Sequence, residues 1–99
     1  IARALIVEPE FIIADEPIAQ GASASAVNAA LAGFVRAAAC ELPRGIRINL
    51  ISPTVLSESL AAYGDFFPGF PSVPAAAVAQ AYRRSIEGVQ TGRIYPVGY

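Results

Sequence analysis

Short apolar runs alternate along this chain with longer segments of helical periodicity, and this alternation limits the fold more than any other feature. Three runs suit buried strands, namely residues 11–14, 46–51 and 93–97. Helices are expected before them, over residues 1–7, from Ser23 or Ser25 to Leu42, and from Ser72 to about Glu87. Strands separated by helices pair in parallel through crossovers. We therefore predict one α/β domain over residues 1–99, with a small three-stranded parallel sheet and βαβ crossovers.

The apolar residues of the two long helices predict which faces pack inward. In the first long helix the expected inner stripe is Val27, Leu31, Phe34, Val35, Ala38 and Leu42. In the last helix it is Val78, Ala81, Tyr82 and Ile86, with Arg83 and Arg84 towards solvent. The first long helix also carries small residues on its other face. We therefore expect a second packing partner there, a homodimer formed through the 24–42 helix or through a sheet edge.

The composition excludes several kinds of chemistry within these 99 residues. There is no histidine, and all seven basic residues are arginine, so a histidine base, a lysine Schiff base and a P-loop lysine are ruled out. The formal net charge of −1 predicts no nucleic-acid or membrane partner. Cys40 is the only cysteine, and we expect it to pack as a small apolar residue.

No targeting signal and no apolar run of membrane-spanning length are visible, so the expected setting is cytoplasmic or recombinant.

A loop over residues 63–70 is rich in phenylalanine, glycine and proline. We expect that loop to fold back onto the core, because large aromatic side chains bury most of their area.

Residues 1–19 (IARALIVEPEFIIADEPIA) resemble the Walker B region of ABC-transporter ATPases. The resemblance implies that Asp15 would help to hold Mg²⁺ and that Glu16 would polarise the attacking water. The phosphate-binding loop and the signature loop of that family are not in this sequence. Asp15 and Glu16 are therefore candidate metal-site residues of vestigial character, and a solvated acidic turn is the alternative.

Residues 15–99 resemble the carboxyl-terminal half of short-chain dehydrogenases/reductases, most clearly over residues 41–53 (ELPRGIRINLISP) and 91–97 (TGRIYPV). The resemblance implies a half-Rossmann-like unit, with NAD(P) contacts at Ser52, Pro53, Thr54 and Val55. That family usually has Gly after the Ser-Pro pair, where this chain has Thr54. Its catalytic Tyr and Lys would fall on Gly21 and Ser25, so no catalytic residue is expected here.

Taken together, the two resemblances predict a natural or designed chimera, with an ATPase-like helix and strand over residues 1–19 and a dehydrogenase-like part over residues 20–99. The first expectation for function is a self-associating scaffold that is not an enzyme and has no cofactor. The alternatives are a residual NAD(P)-binding protein of the short-chain dehydrogenase type and a weak Mg-nucleotide binder.

Overall fold

A computed structural model of the chain describes the backbone of residues 4–7 and all of residues 22–99. The regular elements of these residues are β1 (Ala4–Val7), α1 (Ala22–Ala38), β2 (Arg47–Pro53), α2 (Leu60–Tyr63), α3 (Ala75–Glu87) and β3 (Ile94–Val97). Short 3-10 turns over Ser57–Ser59 and Gly64–Phe66 flank α2.

The strands form one parallel sheet in the order β1-β2-β3, so β2 is central among the described strands. Leu5 pairs with Ile48, and Ile51 pairs with Tyr95. The predicted α/β class and small parallel sheet are confirmed. Proline is tolerated in β3 because that strand has one neighbour in the described sheet and Pro96 is exposed.

The first strand is not where the sequence predicted it. Residues 1–7 were expected to be the end of a helix, but Ala4–Val7 is a strand. Four successive apolar residues, two of them β-branched, suit a buried parallel strand, and periodicity cannot separate such a run from a short helical segment. The strand expected over residues 11–14 lies outside the described residues.

Alternate residues of β2 direct their side chains into two separate cores. Ile48 and Leu50 pack with Val35 and Ala38 of α1. Ile51 packs with Val78 of α3 and with Tyr95 of β3. The two helices therefore cover opposite faces of the sheet, and all seven residues of β2 are buried or half-buried.

The orientation of α1 differs from the predicted one. Val27 and Phe34 were placed on the inner stripe, but they are 59% and 60% exposed, whereas Val35 is fully buried. The inward face contains Asn28 instead, because its polar side chain has a partner in the fold. The helix also begins at Ala22, so neither Ser23 nor Ser25 is its N-cap.

In α3 the buried face includes Ser85, while Ile86, which was predicted to point inward, is exposed. The predicted cap Ser72 does not cap this helix either. The Glu58 carboxylate accepts the hydrogen bond of the Ala75 amide at 3.1 Å, so the cap comes from a residue distant in sequence. The expected end of the helix at Gly88 is confirmed.

Two further predictions concern single side chains. Cys40 is exposed rather than packed, and its Sγ lies 3.7 Å from the Arg36 carbonyl. The aromatic loop does fold onto the core at Phe67, which is buried against Val55 and meets Phe70 edge to face.

None of the helices in the described residues is long and apolar enough to cross a membrane.

The observed orientation of α1 predicts losses of stability of different size for the same substitution at two valines. Val35→Ala should lower the free energy of unfolding by about 2 kcal/mol, because it leaves a cavity against Ile48 and Leu50. Val27→Ala should lower it by less than about 0.5 kcal/mol. Urea denaturation of dilute protein measures both, and equal losses would contradict the observed orientation.

Candidate functional site

The four residues predicted to contact a cofactor lie together where β2 ends. Parallel strands bring their carboxyl ends to one edge of a sheet, and such edges are where open α/β sheets bind ligands. Ser52 and Pro53 close β2, and Thr54 and Val55 continue it without a break. All four residues are buried, so this cofactor edge is part of the packed structure and not a loose loop.

Thr54 is held by hydrogen bonds to two segments around it. Its amide donates to the carbonyl oxygen of Val97 at 2.9 Å. Its hydroxyl donates to the carbonyl oxygen of Pro71 at 2.8 Å. The side chain is 1% exposed. The threonine that stands where the resembling family often has glycine is therefore directed into the protein.

The chain after β3 packs tightly over the same edge. Gly98 has a φ of +92°, and a Cβ atom there would lie 2.5 Å from Val73 Cγ1 and 2.6 Å from Thr54 Cγ2. Only glycine combines that backbone conformation with that approach. The turn at Gly98 allows the Tyr99 hydroxyl to reach 2.7 Å from Ser52 Oγ, a hydrogen bond in which either oxygen can be the donor.

Val55 supplies the open backbone donor of the cofactor edge. Its carbonyl oxygen accepts from the Val73 amide at 3.1 Å. Its own amide has no acceptor within hydrogen-bonding distance among the described residues. Buried amides without a partner are rare, because each costs free energy comparable to a lost hydrogen bond. This amide is accordingly the group at the edge most suited to bind a ligand acceptor.

The other predicted site residues are not brought to this edge by any described contact. Ser25 lies near the start of α1, where it is half-buried and hydrogen-bonded or otherwise paired. Gly21, Asp15 and Glu16 lie outside the described residues. Within residues 4–7 and 22–99, no three potential ligands of the types His, Cys, Asp and Glu come together as a metal site would require.

A polar network at the opposite end of β2 was not predicted from the sequence. The side-chain amide of Asn49 donates to Ser85 Oγ at 2.8 Å and to the Gln90 carbonyl at 3.1 Å, and its oxygen accepts from the Arg93 amide. The Arg47 guanidinium donates to the carbonyl oxygens of Ser85 and Ile86. A buried asparagine within an apolar strand was the available signal, since such a residue needs partners.

A matched pair of glycines tests the close packing over the cofactor edge. Gly98→Ala should lower the free energy of unfolding by about 3 kcal/mol, through backbone strain and the clash with Thr54 and Val73. Gly45→Ala should cost only about 1 kcal/mol, because Gly45 has a φ of +69° but nothing within 4 Å of the added Cβ atom. Chemical denaturation of both variants gives the difference, and equal losses would exclude the tight approach.

Comparison with known proteins finds similarity at the level of solved structures. No protein-family model matches the chain, and no curated protein matches it. The Listeria innocua protein lin1944 is 48% identical and has a TM-score of 0.91, over 95% of this chain and 46% of that chain. A small-chain dehydrogenase is 26% identical, with a TM-score of 0.77 over 95% of this chain and 46% of the other.

A third structure, a small-chain dehydrogenase in complex with NADPH, is 24% identical with a TM-score of 0.73, over 97% of this chain and 48% of that protein. The chain thus spans slightly less than half of the length of each structure. The two dehydrogenase structures give no support to the ATPase resemblance of residues 1–19 or to the chimera, and both remain predictions. The chain is similar in structure to short-chain dehydrogenases over 95% or more of its own length.

Proposed function

We propose that the chain forms part of a short-chain dehydrogenase-like protein and binds the nicotinamide end of NAD(P) at the cofactor edge, Ser52 to Val55. The observation that carries this proposal is the Val55 amide, at the carboxyl end of the central described strand, which has no acceptor among residues 22–99. The carboxamide of nicotinamide offers the acceptor that such a donor needs. This proposal replaces the scaffold without cofactor as the preferred function.

The similarity to known structures supports the same choice. The dehydrogenase structures share the fold of this chain, and one of them is a complex with NADPH. The packing of Thr54 answers the main objection from the sequence, because its side chain is turned into the protein and does not project from the edge. The two hydroxyls of Ser52 and Tyr99 provide further hydrogen-bonding groups at this end of the sheet.

The proposed contribution of this chain is to hold the cofactor rather than to transfer a proton. The positions that the family fills with its catalytic Tyr and Lys are Gly21 and Ser25 here, and a serine hydroxyl is a poor substitute for either group. Dinucleotide contacts that the family makes outside this half are also absent from these residues. We therefore expect weak binding, with a dissociation constant of roughly 1 mM.

Titration of the 99-residue chain with NADPH, followed by amide NMR spectra, tests the proposed binding. The shifts should saturate, and the largest should fall on Val55 and on residues 52–57, 71–73 and 98–99. Val55→Pro removes the amide proton and should weaken binding about tenfold. Val89→Pro makes the same change at a loop residue that is 89% exposed, and it should leave the affinity within twofold.

Shifts that fail to saturate by about 10 mM NADPH, or that map away from Val55, would contradict the proposal whether or not Val55→Pro folds.

The same spectra recorded with Mg-ATP test the alternative that the chain is a weak Mg-nucleotide binder. Saturable shifts that vanish in Asp15→Asn would favour that alternative.

Self-association is a second candidate function, favoured by the exposed Val27 and Phe34 on α1. Together with the alanines between them they form an apolar face without a partner among the described residues. If a second copy covers this face, sedimentation should give a dimer for the native chain and a monomer for Phe34→Arg. A native chain that sediments as a monomer at about 100 μM would contradict the homodimer, since stable interfaces hold well below that concentration.

A further inference from the structure

A groove with a volume of about 420 Å³ lies on the last turns of α3. Its lining residues are Gln80, Arg83, Arg84, Glu87 and Gly88, and we call it the α3 groove. Because α3 runs back across the sheet between β2 and β3, its last turn lies at the amino end of β2. The groove is therefore at the opposite end of the sheet from the cofactor edge. It is a shallow depression that is largely open to solvent.

Arg84 has a fixed position but unused hydrogen-bond donors. Its guanidinium carbon lies 4.5 Å from the centre of the Tyr95 ring, in a cation–π contact. The ring itself is 4% exposed, and its hydroxyl donates to Gln90 Oε1 at 2.7 Å, so the surface under Arg84 is rigid. Among the described residues, no acceptor lies within hydrogen-bonding distance of the Arg84 guanidinium. A guanidinium held in this way has lost part of its freedom before any ligand arrives.

The neighbouring side chains add donors and leave a net positive charge. Arg83 Nε donates to Glu87 Oε2 at 2.6 Å, which neutralises that carboxylate while the terminal nitrogens of Arg83 remain without a described acceptor. The side-chain amide of Gln80 likewise has no acceptor among the described residues. The two arginines and one glutamate give a formal charge of +1 at the groove.

The arginines of the groove are not needed to satisfy the carbonyl groups at the end of α3. Arg47 already serves them, since its two terminal nitrogens bond the carbonyl oxygens of Ser85 and Ile86. The Gly88 amide bonds the Arg84 carbonyl at 3.0 Å. The donors of Arg47 are therefore used within the fold, whereas those of Arg84 face the groove.

The wider charge distribution favours anions at the same end of the molecule. Every arginine in the described residues lies at the end of a helix, in a turn or at the start of a strand on the amino side of the sheet. They are Arg36, Arg44, Arg47, Arg83, Arg84 and Arg93. Of the four acidic residues that the structure describes, only Glu41 and Glu87 lie there, and such a one-sided field raises the local concentration of anionic ligands.

We propose that the α3 groove binds an oxyanion, the phosphate or carboxylate group of a small ligand, with Arg84 as its main contact. The planar fork of a guanidinium matches two oxygens of either group. Gln80 and the free nitrogens of Arg83 supply further donors. The site is independent of the cofactor edge and requires no dinucleotide.

Titrations with inorganic phosphate and with acetate at constant ionic strength, adjusted with sodium chloride, test the site directly. Amide and arginine Nε–H spectra should show saturable shifts for residues 80–88 with at least one of the two anions. Arg84→Gln should weaken that binding tenfold or more, and Arg84→Lys should weaken it several-fold, since lysine retains the charge without the fork. Arg36→Gln, a matched change in the last turn of α1, should leave the affinity within twofold.

The preferred anion distinguishes the two ligand sources. Tighter phosphate binding indicates a phosphorylated ligand, and tighter acetate binding indicates a carboxylic acid. Shifts that follow ionic strength alone, or equal losses in Arg84→Gln and Arg36→Gln, would overturn the proposal. Because no NADPH is used, failure here is separate from failure of the proposed cofactor binding.

Discussion

The buried side chain of Asn49 is the contact on which the rest of this small fold depends. From the middle of β2 it bonds α3 through Ser85, the following loop through Gln90, and the start of β3 through the Arg93 amide. Two parallel strands joined by a long crossover have no hairpin turn to fix their register. In this chain the hydrogen bonds of one fully buried amide fix it, and Arg47 ties the end of the same helix to the same strand.

The two ends of β2 consequently have different roles. At the amino end the side-chain groups of Arg47 and Asn49 are engaged within the protein. At the carboxyl end the strand passes into Thr54 and Val55, where Gly98 packs tightly and the Val55 amide has no acceptor in the part of the chain that the structure describes. A small polar ligand group can bind to a donor in rigid surroundings without reorganising the site. This difference between the two ends of β2 is why we propose the cofactor edge at the carboxyl end.

The sequence predicted the structure best where a single pattern of apolar residues was enough to identify a strand or a helix. The alternation of apolar runs and helices predicted the α/β class, and the run ending at Ser52-Pro53 predicted the strand that is central among the described ones. It was least informative where a polar residue belongs to the core. Periodicity favoured Val27 over Asn28 and Ile86 over Ser85, although in both helices the polar residue is the buried one.

These failures share a physical reason. A buried polar side chain is stable only through partners that are distant in sequence, and a single sequence does not show which residues those are. The same holds for the Glu58 cap of α3 and for the stacking of Arg84 on Tyr95. For the first strand the ambiguity was local, because four apolar residues at Ala4–Val7 fit a helix or a strand equally well.

The most direct test of this account is the stability of Asn49→Leu, which keeps the size of the side chain but removes its hydrogen bonds. The part-buried Arg93 amide and the buried Ser85 hydroxyl would then lose their partner. We expect the free energy of unfolding to fall by about 3 kcal/mol or more in urea denaturation, and the Arg93 amide to lose protection from hydrogen exchange. The surface change Glu41→Gln should have almost no effect. An Asn49→Leu variant as stable as Glu41→Gln, with the Arg93 amide still protected, would contradict the central role of Asn49.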